Sequence, residues 1–143
     1  MQIQAILAAK GDEVQTIRPG ADATMATSLM KTHAIAALVV TEGERVVGLV
    51  GEREIVLGLA AGAGSIVGLK VRDLMHQHPD TCSPQDAINQ VMEIMTRKRR
   101  RHLPVVDQGR LCGIVSIGDM VKFRLGEMEL ESRVLRDAYL TKH

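Results

Sequence analysis

The stretch TIRPGADATMATSLM (Thr16–Met30) returns further along the chain as TCSPQDAINQVMEIM (Thr81–Met95), with Thr, Pro and the final Met in the same places. ALVVTEGERVVGLVGEREI (Ala37–Ile55) is then matched by LPVVDQGRLCGIVSIGDM (Leu103–Met120), with a one-residue adjustment near the turn. A chain that repeats itself in this order is expected to fold as two like units. Each unit is about sixty residues, marginal for a core of its own, so the two should pack against each other. The break falls in AGAGSIVG (Ala61–Gly68). That division gives a first unit over residues 1–68, with an N-terminal segment and linker. The second unit runs over 69–143 and carries a C-terminal helix.

The second copy has the clearer pattern. DTCSP closes a short extended piece. Ser83 is placed to cap a helix, with Pro84 as its first residue and Asp86 as the capping-box partner. Ala87, Ile88, Val91, Met92 and Met95 recur at three and four, the spacing of an amphipathic helix. HLPVV reads as a strand, DQG as a hairpin turn and RLCGIVS as the returning strand. IGDMVKFRLGEMELESRVLRDAYL then predicts a long helix with Val121, Leu125, Met128, Leu135 and Tyr139 near one face. The order is strand, helix, strand, strand, helix. The first copy repeats it, with a short closing helix near Glu52–Ala60. The fold class is therefore α/β, of the α+β kind.

Composition narrows the function. Lys plus Arg total 18 against 17 Asp plus Glu, and a net charge of +1 argues against a general polyanion binder. No apolar run reaches membrane-spanning length, and MQIQAILAAKGDE is too polar for a signal peptide. A cytoplasmic protein is expected. Cys82 and Cys112 sit in apolar stretches and read as small core residues rather than a bridge. The chain has no Trp, one Tyr (Tyr139) and one Phe (Phe123). Single-strand nucleic-acid binders stack bases on aromatic platforms, which this sequence lacks. A base held here would lie between aliphatic side chains.

In GIVSIGDMVK, Ser116 and Asp119 stand three apart just before an apolar-periodic run. That is the spacing of a capping box, which starts a helix. It also sets a hydroxyl and a carboxylate at a helix N-terminus, where anions bind. The basic run RKRRRH (Arg97–His102) precedes the strand and fits either a solvated helix end or a nucleic-acid contact. His76, His78 and Cys82 form too short a cluster for a zinc site and read as a surface loop. The eight Met residues fall mostly at helical core spacing. No Ser-His-Asp order, paired acids or P-loop appears, and Asp119 has no evident general-base partner, so no enzyme is expected.

With VRDLM, HLPVVD and GIVSIGDMVK in order, the chain resembles a tandem pair of cystathionine-β-synthase (CBS) domains, or Bateman module, of the stand-alone bacterial type. The resemblance covers nearly the whole chain and is looser in the first copy. It implies a pseudo-symmetric pair of strand-helix-strand-strand-helix motifs. It also implies a sensor for adenosine-containing ligands, namely AMP, ADP, ATP, NAD or S-adenosylmethionine, in clefts between the copies, with no cofactor required. By this resemblance Asp119 would accept both ribose hydroxyls. Ser116 and the helix N-terminus would meet the α-phosphate. Backbone around Arg101 to Leu103 would read the adenine edge. Leu103, Pro104, Ile114 and Val115 would supply the aliphatic surroundings, and Thr81 would lie near the ligand. Arg101 and His102 would face phosphates. Arg100 stands where relatives often carry an apolar residue.

The first copy departs from the pattern. Gly51 and Glu54 stand where the second copy has Ser116 and Asp119, and AALVV where it has HLPVV. The Ser116–Asp119 site is thus expected to bind more tightly. AMP is the first-choice ligand, and the exposed stripe of the last helix predicts a homodimer serving an unidentified client protein. A nucleic-acid binder using Arg97–Arg101 and a structural dimer without ligand stay open as alternatives.

Overall fold

The structure is a computed structural model that describes residues 1–142, with side chains through Thr141. His143, the end of the second unit as divided above, lies outside the described residues. The elements are α1 (Ile3–Lys10), β1 (Thr16–Ile17), α2 (Ala23–His33), β2 (Ala37–Glu42), β3 (Arg45–Gly51), α3 (Glu52–Ala61), α4 (Val71–Leu74), β4 (His76–Gln77), α5 (Ile88–Lys98), β5 (His102–Asp107), β6 (Arg110–Ser116) and α6 (Ile117–Lys142).

Each unit is built on an antiparallel hairpin. In the first, β2 pairs with β3 from Ala37↔Gly51 to Glu42↔Arg45. In the second, β5 pairs with β6 from His102↔Ser116 to Asp107↔Arg110. Both hairpins shift register at one place, Val40/Thr41 and Val105/Val106. Both turn through two residues; Gln108 and Gly109 both take positive φ, as a type I′ turn requires, while in the first hairpin only Gly43 does. The offset that carries Thr16 onto Thr81 therefore runs through the hairpin without the adjustment expected from the sequence. Ala37, and not Ala36, is the counterpart of His102. The short lead strand repeats too. β1 pairs in parallel with β2 through Ile17↔Val40, and Cys82 bridges in parallel to Val105.

Two local expectations are corrected. The helix after DTCSP begins at Ile88 with Ala87 as its cap, not at Pro84. Ser83 and Asp86 do interact, the Ser83 N–H donating to Asp86 Oδ2 at 2.9 Å, but they close a turn ahead of the helix. The N-terminal segment occupies that backbone. The amides of Ile3 and Gln4 donate to the carbonyls of Asp86 and Pro84, and Ile88 donates to Met1. His76–Gln77 is not a loop. It pairs antiparallel with β3 as the fourth strand of the first sheet, order β1-β2-β3-β4.

Side chains then sort into three cores. The second unit buries Ile88, Val91 and Met95 of α5 against Leu103, Val105, Val115 and Met120, as the helical spacing predicts. The first buries Ala26 and Met30 against Leu38, Val40 and Val50. A third cluster, Ala37, Val39 and Leu49 with Leu111 and Ile114 beside them, packs the two hairpins together. There Leu111 N–H donates to Glu44 O, and Arg110 pairs with Glu44.

The lead-in segments cross over. Ile3 and Ile6 of α1 are buried in the second unit's core, and Leu7 lies over Gly113, where an added Cβ would come within 2.6 Å of it. Val71 and Met75, which open the second unit, pack in the first unit's core, with Met75 over Gly48. Packing thus spans the division at residue 68. Both cysteines are free, Cys82 buried in the core and Cys112 donating to Val105 O. Burial pushes the Cys82 thiol up to about 12, so it is an inert core group. Past Phe123, α6 leaves the body and Leu125, Met128, Leu135 and Tyr139 are exposed, as is Val121 just before it. No helix among the described residues is long and apolar enough to cross a membrane.

Candidate functional site

A cleft of about 520 Å³ opens between the two units. Its aliphatic surfaces come from both: Ala36, Ala37 and Leu49 of the first, Met95, Leu103 and Ile117 of the second. Its rim is charged. Glu52, Arg53 and Glu54 come from the first turn of α3. Asp80, Arg99, Arg100 and Arg101 come from the opposite side, with His76 and His102 between.

The local sequence explains these positions. Arg99 ends α5 in the left-handed conformation, φ 55°, and so turns the chain sharply from helix into β5. Ala34 does the same at the end of α2 in the first unit, φ 52°. The turn brings the basic run to the cleft. Two of its cations are engaged in structure, because Lys98 and Arg100 pair with Asp80 at 2.8 and 3.4 Å. The Lys98 hydrogen bond, against the upward push of burial and helped by Arg100, holds the Asp80 carboxyl below its ordinary value. Asp80 also accounts for Arg100, whose charge departs from the apolar residue implied at that position. Among the described residues, Arg53, Arg99 and Arg101 make no ion pair, which leaves three cations facing the cleft.

The sequence-derived residues divide into two groups. Glu54, Arg101, His102 and Leu103 line this cleft. Ser116 and Asp119 do not, nor do Thr81, Pro104 and Ile114. Pro104 is buried in β5, Thr81 is exposed, and Ile114 packs beside the cluster between the hairpins. Ser116 and Asp119 form the capping box in full. Ser116 N–H donates to Asp119 Oδ2 at 2.9 Å, and Asp119 N–H donates to Ser116 Oγ at 3.0 Å. Asp119 Oδ2 also accepts from Lys10 Nζ at 2.7 Å. Burial pushes this carboxyl up, but the Lys10 and Ser116 hydrogen bonds outweigh it and hold Asp119 below the usual carboxylate value. In the first unit Glu54 Oε1 accepts from Gly51 N–H at 2.9 Å. Gly51 is there for space, since a Cβ would stand 2.9 Å from the Ala36 carbonyl.

His102 lines the cleft and feels the charges of Asp119 and Glu52. Burial lowers its pKa, Asp119 and Glu52 work against that, and Arg101 and Lys10 add to it. It is kept neutral and available as a hydrogen-bonding group. Sequence reasoning missed Lys10, His76 and Asp80 as site residues. No sequence motif marks them: the repeat offset pairs Lys10 with Met75, His76 with Gly11 and Asp80 with Gln15. No cluster of three or more His, Cys, Asp or Glu among the described residues is placed to hold a metal ion.

Comparison with known proteins places this architecture. The model of the CBS domain matches twice, over residues 11–61 and 71–126. The CBS domain-containing protein YhcV of Bacillus subtilis is 32% identical over 108 residues, 76% of each chain. The crystal structure of the CBS-domain containing protein ATU1752 from Agrobacterium tumefaciens superposes with a TM-score of 0.82 at 36% identity, covering 87% of this chain and 99% of that one. The CBS domain pair of protein MJ0100, solved in complex with 5′-methylthioadenosine and S-adenosyl-L-methionine, shares the fold at a TM-score of 0.78 and 21% identity, covering 89% of this chain and 98% of that one. With two family matches on a two-hairpin fold whose register repeats at a constant offset, the chain belongs to the CBS-domain family as a tandem pair.

Proposed function

We propose that this CBS pair is a regulatory module that binds an adenosine-containing ligand, AMP foremost, in the clefts between its two motifs. It carries no catalytic step of its own. The observation behind the proposal is the cleft beside Glu54: aliphatic walls sized for one nucleotide, the N-terminus of α3, and Arg53, Arg99 and Arg101 at its mouth, which make no ion pair among the described residues. An adenine would lie between Ala37, Leu49 and Leu103, with its edge toward backbone near Arg101. Glu54 would accept from the ribose, and the arginines would take the phosphate. NAD, ADP, ATP and S-adenosylmethionine present the same adenosine, and the ligands of MJ0100 belong to this class.

A counterpart site, formed by Ser116 and Asp119 with Thr81, Pro104 and Ile114, would take a second ligand on the other side of the pair. The module would act in the cytoplasm on a client protein, as a homodimer joined through the exposed stripe of α6. The pairing of Lys98 and Arg100 with Asp80 reduces the free charge that a nucleic-acid contact would need.

Calorimetric titration tests the nucleotide reading. AMP should bind more tightly than adenosine, and the difference should shrink with added salt. Arg101→Ala, at an exposed position, should weaken AMP by about tenfold and leave adenosine unchanged. Absence of heat with every adenosine compound would refute the proposal.

A further inference from the structure

Lys10 ends α1, and its ammonium donates to Asp119 Oδ2 at 2.7 Å and to the Ile114 carbonyl at 3.0 Å. The pair is partly shielded, with side chains 34% and 24% exposed, so solvent screens it less than a fully exposed pair. The two copies differ at this point. The offset between the copies puts Met75 where Lys10 stands, and Met75 packs its thioether over Gly48. Glu54, the counterpart of Asp119, accepts from Gly51 N–H and makes no ion pair among the described residues. The same offset puts Ala36 opposite Arg101. One copy's carboxylate therefore faces an open cleft whose Arg53, Arg99 and Arg101 make no ion pair among the described residues. The other carries a lysine and has no arginine at the matching place.

We propose that Lys10 is the specificity-determining residue of the Asp119 site, where its ammonium holds the place of a ribose diol until a phosphate draws it away. The inference rests on the reading of Asp119 as a ribose acceptor. A bare nucleoside offers Asp119 two neutral hydroxyls in exchange for a charge-assisted bond, and the exchange is unfavourable. A phosphorylated nucleoside gives Lys10 a better partner, so both groups are satisfied at once. The lysine's four-carbon stem lets the ammonium swing between carboxylate and phosphate without moving α1. The Asp119 site then accepts phosphorylated adenosine ligands and rejects adenosine. The Glu54 cleft discriminates less sharply, because its cations are not engaged beforehand.

The test is titration of AMP and adenosine into the full chain, Lys10→Met and Lys10→Arg, with amide shifts of Gly118–Met120 reporting the Asp119 site and those of Arg53–Ile55 the cleft. In the natural sequence AMP should move Gly118–Met120 at a concentration at least tenfold below adenosine. In Lys10→Met adenosine should gain about tenfold at that site and the preference for AMP should nearly vanish. Lys10→Arg keeps the ion pair and should restore the preference. Equal adenosine binding at Gly118–Met120 in the natural and Lys10→Met chains would overturn the assignment of Lys10 while leaving the nucleotide reading in place. Shifts confined to Arg53–Ile55 in all three proteins would also overturn it. No shift with either compound in any of them would overturn both.

Discussion

Replacing Ile3 by alanine should destabilise the second CBS motif, although Ile3 precedes the first in the chain. Ile3 is completely buried, in a cluster with Ile88, Val91, Leu103, Val105 and Val115. Truncating a core isoleucine to alanine costs about 2–5 kcal/mol, depending on how far the site collapses. Here α1 lies at the edge of the unit and can settle inward, so about 3 kcal/mol is expected. A domain of this size has about 5–15 kcal/mol in total. The thermal midpoint should fall by about 10 °C. Ile3→Val removes one methylene and should cost about 1 kcal/mol. Urea unfolding gives the magnitude and amide exchange gives the place. Protection should fall in β5 and β6, at Leu103–Val105 and Gly113–Val115, before it falls in Leu38–Val40. A loss no larger than the about 0.5 kcal/mol of an ordinary surface substitution, or one that appears first in Leu38–Val40, would refute the crossed packing of the lead-in segments.

Gly51→Ser should not create a second copy of the Ser116 site. Its Cβ would press on the Ala36 carbonyl at 2.9 Å, so the expected result is a lower thermal midpoint with no gain in AMP affinity by calorimetry. Stability should fall with acid in two stages. Burial holds His102 below its ordinary 6.5, so the unfolded chain takes up that proton first and stability declines as pH drops through about 6.5. Asp119 and Asp80 are held below 3.8, and their contribution, complete above that value, is lost as pH falls further. Melts between pH 7 and 3 check this, and His102→Gln should flatten the upper stage alone. Light scattering should give twice the mass of one chain, and Leu125→Glu with Leu135→Glu, both on the exposed face of α6, should return the monomer. A monomer from the natural sequence would refute the dimer.

The hairpins and α5 were legible because their signals are local. Period-two and period-3.6 patterns report which face is buried, and Asp-Gln-Gly between two apolar runs reports a turn. The segments that cross between motifs carry no such signal. IQAILAAK has only Ile3, Ile6 and Leu7 to mark a helix face, and what they pack against lies in the far half of the chain, from Cys82 onward. β4 is two residues long, too short for any periodicity, and exists because β3 offers it an edge. The start of α5 was misplaced for a related reason. Ser83-Pro84-Gln85-Asp86 has good helix-start chemistry, but the N-terminal backbone pairs with it and holds it as a turn.

The candidate site was legible by residue type and not by grouping. Glu54, Asp119, Arg101 and His102 could all be picked out as ligand chemistry, yet the resemblance, clearest in the second copy, grouped Arg101 with Asp119. In the folded pair Arg101 reaches the same cleft as Glu54, which belongs to the other motif. Two like motifs related by a pseudo-twofold give their elements crosswise: the α3 turn of the first meets the basic run of the second. By the same symmetry a reciprocal cleft would draw on the α6 turn of the second and the matching stretch of the first, where Ala34 and Ala36 stand opposite Arg99 and Arg101 and Lys31 opposite Thr96. The crossed α1 adds a cation directly on the carboxylate, at Lys10. The crossed packing of the lead-in segments thus brings a core face and that cation to the second motif together. Removing α1 would strip the second core of Ile3 and Ile6 and its carboxylate of the cation in the same step.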